Sequence, residues 1–346
     1  MSTPNRTIFG GLHIFDRELK RDIWRNARFT ILLDENTFQH CLPTLISKVE
    51  PLQEADFVEV PMGEECNSLE VAAQVWQTLL ESGADRNAVI VNLGGGTVCD
   101  LGGFVASTYM RGIRHINIPT TLLAMTDAAL GGKTAIDFGG VKNSIGHFHP
   151  AAVTVVNTPF LDTLPPIEML NGKIEMVKTA LVADETLYNN LVATDGVLHR
   201  QVTATARIKN RVVKADPYDR GIRHILNFGH TFGHAIELHA NLPHGIAVGL
   251  GMKAAMYLST KKIGLPEEVF NTYSAWLKSQ FLPFSLHLSP FNLKDIEQML
   301  PLMRRDKKNA DGELRCVLLQ APGATMIDVT VSDNEVRDAL LKLFPL

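Results

Sequence analysis

The stretch AVIVNLGGGTVCDLGGFVAS, residues 88–107, decides how the first half of this 346-residue chain folds. Ala88 to Leu93 is a short apolar run rich in β-branched residues and bounded by a turn signal, so it reads as a strand buried on both faces. Gly94, Gly95 and Gly96 follow, and the next residues open a helix pattern. A strand, a glycine turn and a helix form a geometry suited to phosphate. The glycines let the backbone come close to an anion, and the helix offers it the positive end of its dipole. The turn is not the G-x-G-x-x-G fingerprint, because Cys99 takes the third glycine position, and it lacks the G-K-[ST] of a triphosphate loop. A tight turn with no ligand fits a glycine triplet equally well.

Outward from this stretch, Thr30–Asp34, His115–Ile118 and Val153–Thr158 read as further buried strands, and Ser68–Gly83 as an amphipathic helix with a glycine stop. Apolar strands alternating with helices imply a mostly parallel sheet covered on both faces. After Leu164-Pro165-Pro166 the pattern from Glu168 to Leu346 turns mostly helical, with one hairpin expected at Arg315–Leu319. The expected architecture is an α/β N-terminal domain, residues 1–164, followed by a mostly α-helical C-terminal domain, residues 165–346. A ligand site in the cleft between the two is the expectation.

Hydrophobic residues make up 45% of the chain and charged residues 20%, with a formal net charge of -4. No global basic excess points to nucleic acid or an anionic membrane surface as a partner. Cys41, Cys66, Cys99 and Cys316 lie far apart without a C-x-x-C pair, and read as thiols in a reducing compartment. The N-terminal stretch has no signal-type apolar core, and Lys253 interrupts the best candidate for a membrane span. A cytoplasmic protein is expected.

Ligand-type side chains are split between two segments. Glu175 sits in NGKIEMVKTAL, residues 171–181, and His230, His234, His239 and His244 sit in or near NFGHTFGHAIELHANLPHG, residues 227–245. His230 and His234, four apart, share one helix face. A carboxylate and two imidazoles around an open position are the ligand set of a catalytic zinc. Spacing leaves open which two histidines bind, and Glu175 joins them only through the fold. Unrelated histidines that cap or pack are the alternative.

Anion-binding candidates fall in three places. GGKTAIDFGGVKN, residues 131–143, offers Lys133, Lys142 and Asn143 in what reads as a glycine-rich loop, with Asp127 just upstream. ARIKNRVVKADPYDRGIRH, residues 206–224, carries six basic residues. A solvated helix face accounts for Arg207, Lys214 and Arg220. Lys209 and Arg223 lead into Asn227 and His230 and read as a second anion point, where an Arg fork suits a carboxylate. MRRDKKN, residues 303–309, is a third basic cluster.

Together the blocks GGGTVCDLGGFVASTYMRG, IPTTLLAMTDAALGGKTAID, KNSIG, NGKIEMVKTAL and LNFGHTFGHAIE closely resemble the 3-dehydroquinate synthase family, over most of the chain and in the right order. The resemblance implies a Rossmann-like N-terminal domain, NAD and Zn2+ (or Co2+) as cofactors, and a homodimer. It implies Glu175, His230 and His244 as metal ligands, with His234 left to contact substrate. Asp127, Lys178, Lys209, Arg223 and Asn227 match residues that hold the substrate's hydroxyls and carboxylate. Lys133, Asn143 and Lys307 or Lys308 match residues near its phosphate, and Arg111 matches an arginine reaching the neighbouring subunit's site. Gly95, Gly96, Asp100, Thr120, Thr121, Lys142 and Thr163 match the NAD-contacting set, with Asp34 and Glu64 at the adenosine end.

The implied reaction is that of a carbon–oxygen lyase acting on phosphates. It takes 3-deoxy-D-arabino-heptulosonate 7-phosphate to 3-dehydroquinate by transient NAD oxidation, β-elimination of phosphate, re-reduction and an intramolecular aldol closure. Alternatives are another sugar phosphate cyclase acting on sedoheptulose 7-phosphate, a metal-dependent polyol dehydrogenase, and a degenerate fold kept for binding. The Lys209/Arg223 pair argues against the first, and Lys133 with Asn143 against the second. The third would have to explain why the site residues are intact. Two positions depart from the family pattern. The cofactor-side motif G-E-x-x-K-S reads GEECNS here, with Asn67 in place of the lysine. Many relatives carry H-G-E at the last histidine, and Ile246 stands here. His147 and His149 read as incidental.

Overall fold

Strands buried on both faces build the first part of the chain. The computed structural model describes residues 5–284, 286, 288–304 and 313–344. The chain divides into two compact units, Met1–Met169 and Leu170–Leu346. The strands of the first unit are β1 Arg6–Phe9, β2 Phe29–Leu33, β3 Asp56–Glu59, β4 Val89–Gly94, β5 Arg114–Pro119, β6 Lys133–Phe138, β7 Val141–Phe148 and β8 Val153–Val156. Its helices are α1 Leu12–Leu19, α2 Glu35–His40, α3 Leu42–Lys48, α4 Leu69–Glu81 and α5 Gly96–Thr108. Six strands form one parallel sheet in the order β1-β8-β5-β4-β2-β3. β2 and β4 are buried at every position, which is why they read as continuous apolar runs.

The edge strands β1 and β3 were not legible as strands, because each mixes polar and apolar residues and is only partly covered. From β2 the chain builds β3 on one side of it and then, after α4, β4 on the other. The carboxyl ends of β2 and β4 therefore flank a topological switch point, where open α/β sheets form a ligand crevice. Asp34 follows the first of these strands directly, and the Gly94–Gly96 turn closes the second.

Residues 131–143 depart from the expected glycine-rich loop: β6 and β7 pair as an antiparallel hairpin. Gly139 and Gly140 make its turn at φ +60° and +76°, and two consecutive positive values are what a two-residue type I′ turn demands. Thr134 and Ile136 point inward, an alternation hidden in the sequence by glycines at both ends.

The second unit carries α6 Pro166–Ala183 (which starts in the first), α7 Glu185–Val192, α8 His199–Ala215, α9 His230–Ala240, α10 His244–Lys262, α11 Glu267–Phe281, α12 Leu293–Arg304 and α13 Asp333–Leu341. The expected hairpin is present as β9 Leu314–Ala321 against β10 Ala324–Val331. α6 is buried without a break from Leu170 to Val182, so the charges it bears are buried with it. Lys253 of α10 is likewise buried, its Nζ donating to Leu343 O at 2.7 Å. Among the described residues no helix is long and apolar enough to cross a membrane. All four cysteines are buried and none is in a disulfide. Burial, with Asp34 adding to it, pushes the Cys41 thiol up to about 11 and the Cys66 thiol up to about 12, Asp100 adding further at Cys66.

His115, on β5, is 1% exposed, neither ring nitrogen has a partner, and its ring stacks on His149 with centroids 5.1 Å apart. Burial first, and then the neighbouring His149, lower its pKa from 6.5 to about 3. Between those values the unfolded chain binds a proton that the folded chain refuses, so stability falls as pH drops through that window. The full penalty is a few kcal/mol. We expect His115→Leu to flatten the loss of stability between pH 6.5 and 4 in urea unfolding. An unchanged acid slope would contradict the assignment.

Candidate metal centre and surrounding residues

A close helix contact sets up the centre. A Cβ on Gly245 would stand 2.4 Å from Asn171 O, so only glycine lets the first turn of α10 press onto α6. Glu175 lies one turn beyond Asn171 on α6, which brings His244, the first residue of α10, beside it. His230 Nε2 and His244 Nε2 each lie 3.6 Å from Glu175 Oε1, an oxygen that is buried and has no hydrogen-bond partner. Among the described residues these three form the group able to hold a metal ion, with ligand atoms within 4.8 Å of one another. Two ligand atoms each about 2.0–2.1 Å from a tetrahedral ion stand roughly 3.3 Å apart, close to what is seen.

Both imidazoles are turned the right way. His230 Nδ1 faces Phe228 O at 3.3 Å and His244 Nδ1 faces Glu237 Oε2 at 2.8 Å. Those acceptors call for Nδ1–H, which leaves both Nε2 lone pairs directed at Glu175 Oε1. Burial alone would lower the pKa of His244, but the hydrogen bond to Glu237 and the charges of Glu175 and Glu237 outweigh it, and the net shift is upward. Lys178 Nζ lies 2.5 Å from Glu175 Oε2, and both side chains are buried. A buried ion pair is costly to desolvate and poor evidence of a stabilising role, so its presence here points to chemistry.

The structure sorts the remaining histidines. His234, one turn after His230, is exposed, with ring centroids 5.2 Å from His230 and 5.8 Å from His244. His239 turns to Asp295 at 3.5 Å and to the edge of Phe291. Glu237 escaped the sequence reading, although its i+7 spacing from His230 places it on the same face of α9. Ile246 is fully buried, so the carboxylate beside His244 comes from α9.

In the same unit Lys209 and Arg223 are buried, whereas Arg207, Lys214 and Arg220 are exposed. Asp216 turns the chain between them: its carboxylate accepts the backbone N–H groups of Arg220, Gly221 and Arg223, which hold it below its ordinary range. Arg223 Nη1 donates to Pro217 O at 3.0 Å. Asn227 Nδ2 is buried without a hydrogen-bond partner.

In the first unit, Gly95 is the N-cap of α5 and Gly96 its first residue. Thr120 N donates to Gly94 O at 2.9 Å, and a Cβ on Gly95 would stand 3.2 Å from Thr121 Cγ2, so the glycine turn and the two threonines adjoin. Asp100, one turn into α5, is pushed well above the usual carboxylate range, by burial first and then by Asp127, Asp137 and Glu64. Asp127 lies in the π-helical turn Ala124–Ala128. Asp34 caps α2, its Oδ1 accepting from Thr37 N at 2.8 Å. Glu64 pairs with Lys142 at 3.1 Å. Lys133 opens β6 and Asn143 sits on β7 at φ +51°. Thr163 is exposed at the end of the 3₁₀ turn Thr158–Thr163. Arg111 is exposed at φ +67°, between Met110 at +49° and Gly112 at +109°. Lys307 and Lys308 lie outside the described residues.

Known proteins bear on these sites. The family description "3-dehydroquinate synthase N-terminal" matches residues 57–171, and "3-dehydroquinate synthase C-terminal" matches residues 172–309. A 3-dehydroquinate synthase of Parabacteroides distasonis is 37% identical over 321 residues, covering 90% of this chain and 89% of that protein. Among solved structures, a 2-epi-5-epi-valiolone synthase of Streptomyces hygroscopicus with NAD+ and Zn2+ bound superposes with a TM-score of 0.84 at 24% identity, covering 99% of this chain and 97% of that one. A 2-deoxy-scyllo-inosose synthase complexed with carbaglucose-6-phosphate, NAD+ and Co2+ gives 0.83 at 22% identity, covering 97% and 96%.

Two substitutions test the centre by zinc competition against a chromophoric chelator. Glu237→Gln should weaken zinc binding about 10- to 100-fold by loosening the orientation of His244. Glu175→Gln should abolish it. Full zinc affinity in Glu175→Gln would remove that residue from the ligand set.

Proposed function

This chain belongs to the 3-dehydroquinate synthase family, and from that premise we propose how its own residues act on 3-deoxy-D-arabino-heptulosonate 7-phosphate. The products are 3-dehydroquinate and phosphate, on the shikimate route to aromatic amino acids. The observation that carries the reading is the convergence of Glu175 Oε1, His230 Nε2 and His244 Nε2, drawn from α6 and from the successive helices α9 and α10 that lie far from it in sequence. One carboxylate and two imidazoles leave an open position, as a catalytic zinc site requires, and cobalt takes the same ligands. When bound, the cation supplies a Lewis acid that acidifies a coordinated hydroxyl, and NAD a reversible hydride acceptor.

The chain's residues do the rest. Lys178 pairs with Glu175 and, with Asp127 and Asn227, holds the substrate's hydroxyls; the unpartnered Asn227 Nδ2 supports this. Arg223 and Lys209 take the substrate's carboxylate, and their burial makes that pairing strong. Sedoheptulose 7-phosphate has no carboxylate to offer these two cations. Lys133, Asn143 and His234, joined by Lys307, hold the phosphate that leaves.

For NAD, the proposal uses the switch point of the sheet. Gly95 and Gly96 bring the start of α5 to the pyrophosphate, with Thr120, Thr121, Asp100, Lys142 and Thr163 around it and Asp34 and Glu64 at the adenosine end. Substrate and products stand at the same oxidation level, so the cofactor leaves each turnover unchanged. Arg111 is proposed to reach the neighbouring site in a homodimer. The four cysteines, none of them in a disulfide, support a cytoplasmic setting.

The decisive assay supplies the heptulosonate phosphate with NAD and zinc. Phosphate and dehydroquinate should form together without NADH build-up. NADH accumulating with glycerol-type alcohols, and no phosphate released, would replace the reading with a polyol dehydrogenase. Arg223→Ala should lose on the order of a few kcal/mol of substrate binding at normal zinc content. Loss of metal from that variant would reassign the residue.

A further inference from the structure

Asn67 stands where the family pattern has a lysine, yet it is 3% exposed and knitted into a network. It closes the short 3₁₀ turn Gly63–Cys66 that carries Glu64. Its backbone oxygen accepts Asp137 N at 2.8 Å. Its Nδ2 lies 3.2 Å from Asp137 Oδ1 and 3.2 Å from Asn143 Oδ1. Asp137 Oδ1 also accepts Asn143 N at 2.7 Å.

Only one orientation of the Asn67 amide is compatible with these neighbours. Turned over, its oxygen would face a carboxylate oxygen of Asp137, two acceptors with no proton between them. As it stands, Asn67 Oδ1 is buried with no partner, a state few native groups occupy. That orientation is therefore imposed from the donor side. The next amide follows from it, because the Asn143 atom facing Asn67 Nδ2 must be the acceptor. The oxygen of Asn143 is engaged, and the two N–H donors lie on the other arm of its amide. The unprotonated oxygens of a phosphoryl group only accept.

We propose that Asn67, itself held by Asp137, is a positioning residue that sets the Asn143 amide to present its donors to the substrate's phosphate. This rests on the function proposed above and departs from an adenosine-contacting role for position 67. The ion pair from Glu64 to Lys142 ties the same turn to the same hairpin at a second point.

A double-mutant cycle on the NAD- and zinc-loaded enzyme tests it. Asn67→Ala should raise KM for the heptulosonate phosphate about tenfold with little change in kcat, which corresponds to losing one hydrogen bond to a charged group. In an Asn143→Ala background the same change should shift KM less than about twofold. The NAD dissociation constant, read by fluorescence titration, should not move. Asn67→Lys keeps a donor at that point and should restore KM towards wild type. An additive cycle, weakened NAD with unchanged KM, or an Asn67→Lys variant as impaired as Asn67→Ala would each overturn the proposal. Should Asn67→Ala fail to fold, the Lys variant alone decides. Failure of the wild-type enzyme to convert the substrate is a different result, and it counts against the function itself.

Discussion

One buried oxygen organises the second unit. Glu175 Oε1 sits on a helix enclosed on every side, without a hydrogen-bond donor of its own, and two imidazole nitrogens face it across equal gaps. A carboxylate in such a place is expensive unless its charge is used. Lys178 answers for one oxygen, and a divalent cation is the partner that satisfies the other together with both imidazoles. The surrounding architecture keeps this demand in place. Gly245 admits α10 against α6, Glu237 fixes one ring, and the Phe228 carbonyl fixes the other. Replacing the glycine with any larger residue would push His244 away from Glu175 without touching a ligand.

The first unit depends on a topological constraint in place of a buried charge. A parallel sheet that reverses its building direction between β2 and β4 leaves a crevice at their carboxyl ends, and side chains following those strands inherit positions beside it. Asp34 and the glycine turn are there for that reason. The pattern was readable because both strands are buried at every position and carry only one polar side chain each. β1 and β3 were not, since an edge strand needs only half a hydrophobic face and so resembles a loop. Glycines hid the β6–β7 hairpin in the same way: they mark a loop by composition and a tight two-residue turn by φ.

Within the centre, spacing alone was ambiguous, and the ambiguity had a physical source. His230 and His234 lie one turn apart on α9, so both face the same way, and periodicity cannot rank them. What separates them is the start of α10 and the position of α6, which depend on a glycine-to-backbone contact invisible in one dimension. His239 falls past that face and finds Asp295. The basic segment shows the opposite case. Lys209 and Arg223 separate from Arg207, Lys214 and Arg220 by burial, and Asp216 supplies the turn that sends Arg223 inward.

The two departures from the family pattern are best weighed by what their neighbours do. Ile246 stands where many relatives carry a glutamate, but the ring of His244 is oriented from α9, where Glu237 Oε2 lies 2.8 Å from its Nδ1. Asn67 removes a lysine, but its amide still offers N–H donors to Asp137 and Asn143 from a buried position. In each case the contact that orients the neighbouring side chain is in place. A degenerate site would show the reverse, with ligand-type residues present and their orienting partners lost. The supporting partners are intact here, and they argue for a working enzyme more strongly than the motifs, because nothing in the fold alone requires a carboxylate on His244 Nδ1 or a donor beside Asn143.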